Sequence, residues 1–579
     1  MAKRKAPEDD RCQESDPSSE AWNKIPWRKL EKYCFRMQKR IYRASQRGNT
    51  RAVHKLQKLL MKSEAARLLA VRRVTQDNQG KKTAGIDGIK NVKPQERFTL
   101  ARQIHPQHWK HQKPKPVRRV WIPKPGKGEK RPPGIPTMLE RSKQALVKAG
   151  LEPEWEAVFD ANSYGFRPGR SCHDAIAAIL NYIRYKPKFV FDADIKGCFD
   201  NINQEALLLR LHTYPAMRHM IKAWLKAGVL ERADFSPTEA GTPQGGVVSP
   251  LLANVALHGI EEVAASVCRK KREQPVLIRY ADDFLIFHPS KEIVDKATEA
   301  VTTWLKDRGL ILSPQKTRVT PTLTPYEGNV GFDFLGFTVR QFPVGKTNTG
   351  KDTQGKPLGF KTIIRPSEKA IKRHTAEIKK RIRKLRGAPQ EKLIKDLNPV
   401  IRGWANYYRT VVSSRVYHEC DNIVYYQLVQ WTKWRHPDKS GAWRSKKYWR
   451  KIGNQKWVFA ASDTMTIRKH GMTHILSPYA KVRGNASPYD GNLLYWSQRL
   501  KSHPLLRGKL AKLLQKQQGK CRWCELTFRE GDLIEIDHID GKHANDEPSN
   551  LFALHRHCHD ERHAKPREEW KYAAGINHT

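Results

Sequence analysis

No stretch of the 579-residue chain approaches the 18 consecutive apolar residues expected of a membrane-crossing helix. Met1 to Glu20 is charged and polar, without the apolar run of a signal peptide and with almost no large apolar side chains to pack. Cysteine is sparse as well. Of the nine, Cys12, Cys34, Cys172, Cys198, Cys268 and Cys420 are too scattered to read as a disulfide framework. These scarcities point to a soluble protein of a reducing, cytoplasmic setting, with no membrane partner. Acid is short too, since 58 Asp and Glu face 108 Lys and Arg, for a net charge of +50. A surplus that large repels itself unless a polyanion absorbs it, and the obvious polyanion is nucleic acid. Charge names the partner class and leaves the chemistry open, because a purely structural RNA-binding protein is equally basic.

The length exceeds what one hydrophobic core organises, so several domains are expected. Residues 1–20 read as a disordered tail and 21–74 as a basic helical extension, with Ile41, Val53, Leu56, Leu59, Leu60 and Leu68 as its apolar positions. Between 75 and 340, short β-branched runs alternate with helical segments and Pro/Gly turns, an α+β pattern. The stretch 341–436 ends in helices: Ser367 caps one that stops near Gly387, and two more follow over about 391–409 and 414–434. The interval 437–504 is aromatic and basic with no assignable fold. The last part, 505–579, clusters Cys and His.

The strongest local signal is Val276 to Phe287, two apolar strands around a tight turn holding Asp282 and Asp283. A second strand, Phe189 to Ile195, carries Asp192 and Asp194 on one face by period-two alternation. Two adjacent strands can therefore bring Asp194 and Asp282 together. Phosphoryl transfer through two Mg²⁺ ions needs such carboxylates from separate elements, and hard oxygen ligands suit that ion.

An ordered set of motifs then spans nearly the whole chain. It runs from Gly85-Ile86-Asp87-Gly88 through Ile122-Pro123-Lys124, Arg131-Pro132-Pro133-Gly134, Ser163 to Arg170 and Asp194 to Asp200. It continues with Gly241 to Pro250, Tyr280 to Asp283, Leu312 to Thr317 and Phe334-Leu335-Gly336-Phe337. In these the chain resembles the reverse transcriptases encoded by bacterial group II introns. The resemblance implies a right-hand polymerase with fingers and palm over 75–340 and a helical thumb or maturase region over 341–436. It also implies that Asp194 and Asp282 bind both metals with Asp283 assisting, and that Lys124 and Arg131 clamp the triphosphate of a dNTP. By the same resemblance, Phe199 crowds the 2′-carbon and Gln244 supports the incoming nucleotide. Asp87, Asp192, Asp200 and Arg167 serve the fold equally well as ion-pair or capping groups, and Lys316 stands near the primer or triphosphate or simply on the surface. Leu397 to Arg409 resembles the maturase segment of the same family. Its Trp404, Tyr407 and Tyr408 can stack on bases of the intron RNA or fill a helical core.

At the end of the chain, Cys521-Arg522-Trp523-Cys524 and His555-Arg556-His557-Cys558 form two ligand pairs whose spacing suits tetrahedral Zn²⁺, with His557 and His563 as competitors for the His555 place. Asp537-His538, Asn550 and His559 add the pattern of an HNH nuclease of the ββα-metal type. That resemblance implies His538 as general base, Asn550 orienting it, and Asp537 with His559 holding Mg²⁺ or a similar ion. The reading as a whole is a multifunctional intron protein with group II intron RNA, target DNA and dNTPs as partners, 437–504 contacting DNA, and oligomeric state open. Its competitors are an RNA-binding splicing factor on a non-catalytic polymerase scaffold and a retron-type or CRISPR-associated reverse transcriptase.

Overall fold

At the centre of the computed structural model lies a four-stranded antiparallel sheet in the order Arg318–Pro321, Phe189–Asp194, Asp283–His288, Val276–Tyr280. The structure describes residues 19–123, 130–231, 234–242, 244–345, 347–476, 479–492, 495–496, 499, 508–528, 532–542 and 544–564. The strand sequences are near-continuous apolar runs because both faces of this sheet are covered. On one face Phe191, Ala193, Phe284 and Ile286 pack into a core with Val294, Ala297, Val301 and Leu305 of helix Lys291–Lys306. On the other, Val190, Ile278, Leu285 and Phe287 meet Ile176, Ile179 and Ile183 of helix Cys172–Ile183.

Ahead of the sheet, helices Trp27–Gln46, Thr50–Lys62 and Glu64–Arg72 lay Ile41, Leu60 and Val71 against helix Met138–Glu156, burying Leu146, Val147 and Leu151. Their lysines and arginines fall on the remaining faces, as a 3.6-residue apolar period dictates. A small sheet, Gly134–Ile135, Val117–Arg119, Val229–Glu231 and Asp234–Ser236, and the hairpin of Ile122–Pro123 with Lys130–Arg131 stand beside it.

Beyond the sheet come three helices, Glu368–Lys384, Gln390–Tyr408 and Ser414–Arg435, with the Ser367 hydroxyl accepting from the Ala370 amide as the anticipated cap. Ile378, Ile382, Leu393, Leu397, Ile401, Leu428 and Trp431 form their shared core. Tyr408 is buried instead in the core on the second face of the central sheet, against Phe337, and Trp404 stacks on His374 at 4.5 Å, so these aromatics serve packing.

Three boundaries differ from expectation. Ser19 and Glu20 belong to the short helix Ser19–Asn23, while residues 1–18 of the expected tail lie outside the described residues. The division at 340 cuts strand Phe337–Pro343, which pairs along its whole length with Phe360–Pro366, so the helical part begins only after Pro366. The loop between these strands breaks the alternation on which the boundary was drawn. The interval 437–504 also divides. Helix Gly441–Tyr448 and the hairpin of Trp449–Ile452 with Gln455–Phe459 pack through Tyr448, Trp449 and Phe459 onto the three-helix core. The following stretch returns to the central domain, where Val482 and Trp496 enter the second core. There Arg170 donates to the Gly484 carbonyl at 2.6 Å, Asp174 accepts from the Val482 amide at 2.7 Å and pairs with Arg499, and the Tyr489 hydroxyl donates to Glu152 at 2.8 Å. Gly169, at φ +72°, leaves space for the Trp496 ring, which an added Cβ would meet at 2.6 Å.

The last element is a hairpin, Ile534–His538 with Leu551–His555, followed by helix Arg556–His563. It rests on the first helices of the chain, where Arg28 pairs with Glu525 and His557 lies 3.6 Å from Glu31. A cavity of about 1180 Å³ lies along this junction.

Candidate active sites

Antiparallel register sets Asp194 directly opposite Asp283, and the turn between Tyr280 and Asp283 puts Asp282 beside them. Three carboxylates from two places in the sequence thus share one strand-end cleft. Burial and the neighbouring Asp282 and Asp194 push the Asp283 carboxyl up to about 8, and burial with Asp194 raises that of Asp282. Like charges held so close raise each other's proton affinity, a conflict that a divalent cation on hard oxygen ligands relieves. The donor set therefore fits metal. Lys316 pairs with Asp194 here, so the residue weighed as surface or site stands at the site.

Asp192, two residues back on the same strand, lies 3.6 Å from Arg318 and is pushed up to about 6, chiefly by burial. Arg167 is sealed inside against Glu156 at 2.8 Å, and the Asp87 carboxylate accepts from the Ile89 amide. These groups hold the fold.

Three motif segments meet in front of the acids. The Thr242 amide donates to the Phe199 carbonyl at 2.6 Å, the Gly134 amide to the Gln244 carbonyl at 2.5 Å, and Gln244 Nε2 to Asp200 Oδ2 at 3.0 Å. Gly241, at φ +79°, packs where a Cβ would sit 2.4 Å from the Phe199 carbonyl oxygen. The Phe199 ring stands edge-on to Phe166 at 6.1 Å. Arg131 is exposed on its hairpin, with its charge acting on Asp282, whereas Lys124 lies outside the described residues.

Sequence reasoning passed over the groups beneath the turn. Arg279 is buried inside an apolar strand, and its Nη1 donates to the Ala281 carbonyl and to Asn254 Oδ1, both at 3.0 Å. The signal was present as a lone arginine within Val276-Leu277-Ile278-Arg279-Tyr280.

In the terminal domain Cys521, Cys524, His555 and Cys558 converge, all buried, with their ligand atoms within 4.8 Å of one another. One turn bearing Cys521 and Cys524, the strand end at His555 and the start of the last helix at Cys558 supply a soft, closed donor set of the type that suits tetrahedral zinc. The competitors are engaged elsewhere: His557 faces Glu31, and His563 lies 3.1 Å from Asp537. A second group, Asp537, His559 and His563, gathers on the opposite side of the hairpin and helix, and Arg562 also pairs with Asp537. His563 thus joins the pair expected there. The neighbouring His538 lies 3.4 Å from Asp546. Asn550 uses its amide on the intervening loop, donating to Asp540 Oδ1 at 2.9 Å and to the Asn545 carbonyl at 2.8 Å, while the Asp540 amide donates to its oxygen.

Four family models match the chain in order. They are the N-terminal domain of reverse transcriptase over residues 22–104, reverse transcriptase (RNA-dependent DNA polymerase) over 122–339, the group II intron maturase-specific domain over 371–449, and HNH endonuclease over 521–565. The group II intron-encoded protein LtrA of Lactococcus lactis subsp. cremoris is 26% identical over 512 residues, covering 74% of this chain and 80% of that protein. Protein YkfC of Escherichia coli (strain K12) is 31% identical over 304 residues, covering 46% of this chain and 77% of that one. The polymerase portion is accordingly a right-hand fold, and the chain belongs to the group II intron-encoded proteins that unite reverse transcriptase, maturase and HNH endonuclease.

Proposed function

We propose that the three activities serve one itinerary in the cytoplasm. As maturase the chain binds its group II intron RNA and helps it fold for splicing; as nuclease it nicks one strand of a target DNA. As reverse transcriptase it then extends the freed 3′ end along the inserted RNA. The observation that carries the polymerase step is the meeting of Asp194, Asp282 and Asp283 at one strand-end cleft in a chain of net charge +50.

In this reading Asp194 and Asp282 hold two Mg²⁺ ions and Asp283 assists. Ions held by these carboxylates would supply Lewis-acid chemistry, making the attacking 3′-hydroxyl easier to deprotonate and stabilising the charge that grows on the leaving pyrophosphate. Lys124 and Arg131 meet the triphosphate of the dNTP, Gln244 steadies the nucleotide from the glycine turn, and Phe199 excludes a 2′-hydroxyl by contact. The helices after Pro366 act as thumb, laying Lys369, Lys372, Lys379 and Lys380 along the duplex backbone. In the terminal domain Asp537 and His559 hold a hard divalent ion and His538 takes the proton from water. Asn550, through its grip on the 540–545 loop, keeps that loop in place beside His538.

Cys521, Cys524, His555 and Cys558 hold Zn²⁺ as a structural staple. The described domain is small, and a zinc site contributes about 10–16 kcal/mol of binding free energy, comparable to or above the stability of a whole domain. Cys558→Ser is therefore expected to release zinc and unfold the C-terminal domain while leaving primer extension within about threefold of the parent. Metal analysis and limited proteolysis read the first, an extension assay the second; a zinc-free variant with an intact nuclease domain contradicts the assignment.

The itinerary is tested in one tube with intron RNA, duplex target DNA and dNTPs. The expected product is cDNA covalently joined to the nicked DNA strand. Blocking the nuclease should abolish it, and supplying DNA already nicked at that position should restore it. Product that forms on uncut duplex with the nuclease disabled removes the coupling from the proposal.

A further inference from the structure

The turn that bears Asp282 and Asp283 is held in an unfavourable backbone state. Ala281 adopts φ +60°, in the left-handed region where a side chain crowds its own backbone. Such a residue persists only when its surroundings over-determine it. Here one buried network does so. Arg279, 1% exposed, donates from Nη1 to the Ala281 carbonyl and to Asn254 Oδ1, both at 3.0 Å. Asn254, also 1% exposed, returns its Nδ2 to the Gly165 carbonyl at 2.8 Å. Gly165 in turn packs so tightly under the turn that an added Cβ would lie 2.3 Å from the Ala281 amide nitrogen. The Arg279 backbone is fixed on both sides, its amide donating to the Asn162 carbonyl and its carbonyl accepting from the Tyr164 amide, each at 2.9 Å.

An arginine confined to an apolar strand needs a reason. Its Nε and Nη2 find no hydrogen-bond partner among the described residues, so the side chain is poorly served as a purely structural group. Burial lowers its pKa only to about 10, so it keeps its charge at neutral pH, opposed at longer range by Asp160 and Glu261. A methionine of similar length would fill the space without that cost. What methionine cannot do is grip the Ala281 carbonyl.

We propose that Arg279 is a positioning residue of polymerisation, locking Ala281 in its left-handed conformation so that Asp282 and Asp283 stand beside Asp194. The inference rests on the reading of those three acids as the metal site. It assigns Arg279 to the metal response of the reaction and leaves nucleotide and template binding to other groups.

The test is primer extension by the full chain on an RNA template across a Mg²⁺ titration, with Arg279→Lys and Arg279→Gln. Outer-shell groups of metal sites are typically worth about 10–100-fold in metal affinity or activity. In Arg279→Gln the Mg²⁺ midpoint is expected to rise about tenfold and kcat to fall about 10–100-fold, with KM for dNTP within about threefold. Arg279→Lys should recover part of the loss. Thermal melting and DNA cleavage by the same preparation report folding. If Arg279→Gln does not fold, Asn254→Ala, which removes the acceptor that aims the guanidinium, should show the same midpoint shift. A Mg²⁺ curve superimposable on the parent's, or activity that falls only with the folded fraction, overturns the proposal. Asp282→Asn run in parallel separates the two ideas: activity surviving there defeats the metal-site reading, whereas an inactive Asp282→Asn beside a Mg²⁺-insensitive Arg279→Gln defeats the positioning role alone.

Discussion

Primer extension on RNA is expected to fall by about a thousandfold or more in Asp282→Asn, which at 1.36 kcal/mol per decade is about 4 kcal/mol of transition-state stabilisation. The exchange preserves shape and removes one negative charge from a cleft where Asp194, Asp282 and Asp283 stand together. Because the surrounding acids already raise each other's proton affinity, that substitution relaxes the folded state, and the melting temperature should hold or rise. Loss of rate without loss of stability is the signature of a group kept for chemistry at the expense of stability. RNA binding in a filter assay should stay within about threefold, since the basic surfaces that attract phosphate are untouched. Retained polymerisation would instead favour a polymerase fold turned into a splicing scaffold.

DNA cleavage is expected to drop by about 10²–10⁴-fold in His538→Ala, the range that a positioned general base supplies. His538 closes its strand next to Asp537, with its imidazole 3.4 Å from Asp546. The zinc-type cluster is formed by other residues, so zinc content and domain folding should be unchanged. Polymerisation on a supplied primer should proceed as in the parent. A nicking assay on supercoiled plasmid measures the first, and extension of an annealed primer the second. Cleavage at the parental rate would sink the assignment of His538 and turn attention to His559 or His563.

Much of this arrangement was legible in the sequence where chemistry and local pattern agree. Two apolar runs around Asp282-Asp283 can only be a hairpin with acids at its tip, and a Phe189-to-Asp194 strand of matching character finds its partner by burial. Ser367 announced its helix because the cap satisfies an amide locally, an effect of about 1 kcal/mol that needs no tertiary context. The pairs Cys521/Cys524 and His555/Cys558 likewise carry their geometry in their spacing. What stayed hidden depends on distant partners. Nothing near Arg170 or Asp174 in the chain says that they anchor backbone more than 300 residues later. Arg279 was read as part of a strand because its partner Asn254, and the Gly165 carbonyl that Asn254 holds in turn, lie far away. The place of His563 beside Asp537 follows from one turn of helix Arg556–His563 facing the hairpin, which the ligand spacing alone left open.

The seating of the last domain on the first helices has a practical corollary. Glu525 and His557 meet Arg28 and Glu31, so the first described helices and the last domain share one joint. A graft that carried only the Cys- and His-rich portion onto another polymerase would leave its bench behind. An exchange of modules should therefore move residues 19–72 and 508–564 together, as a matched pair of pieces.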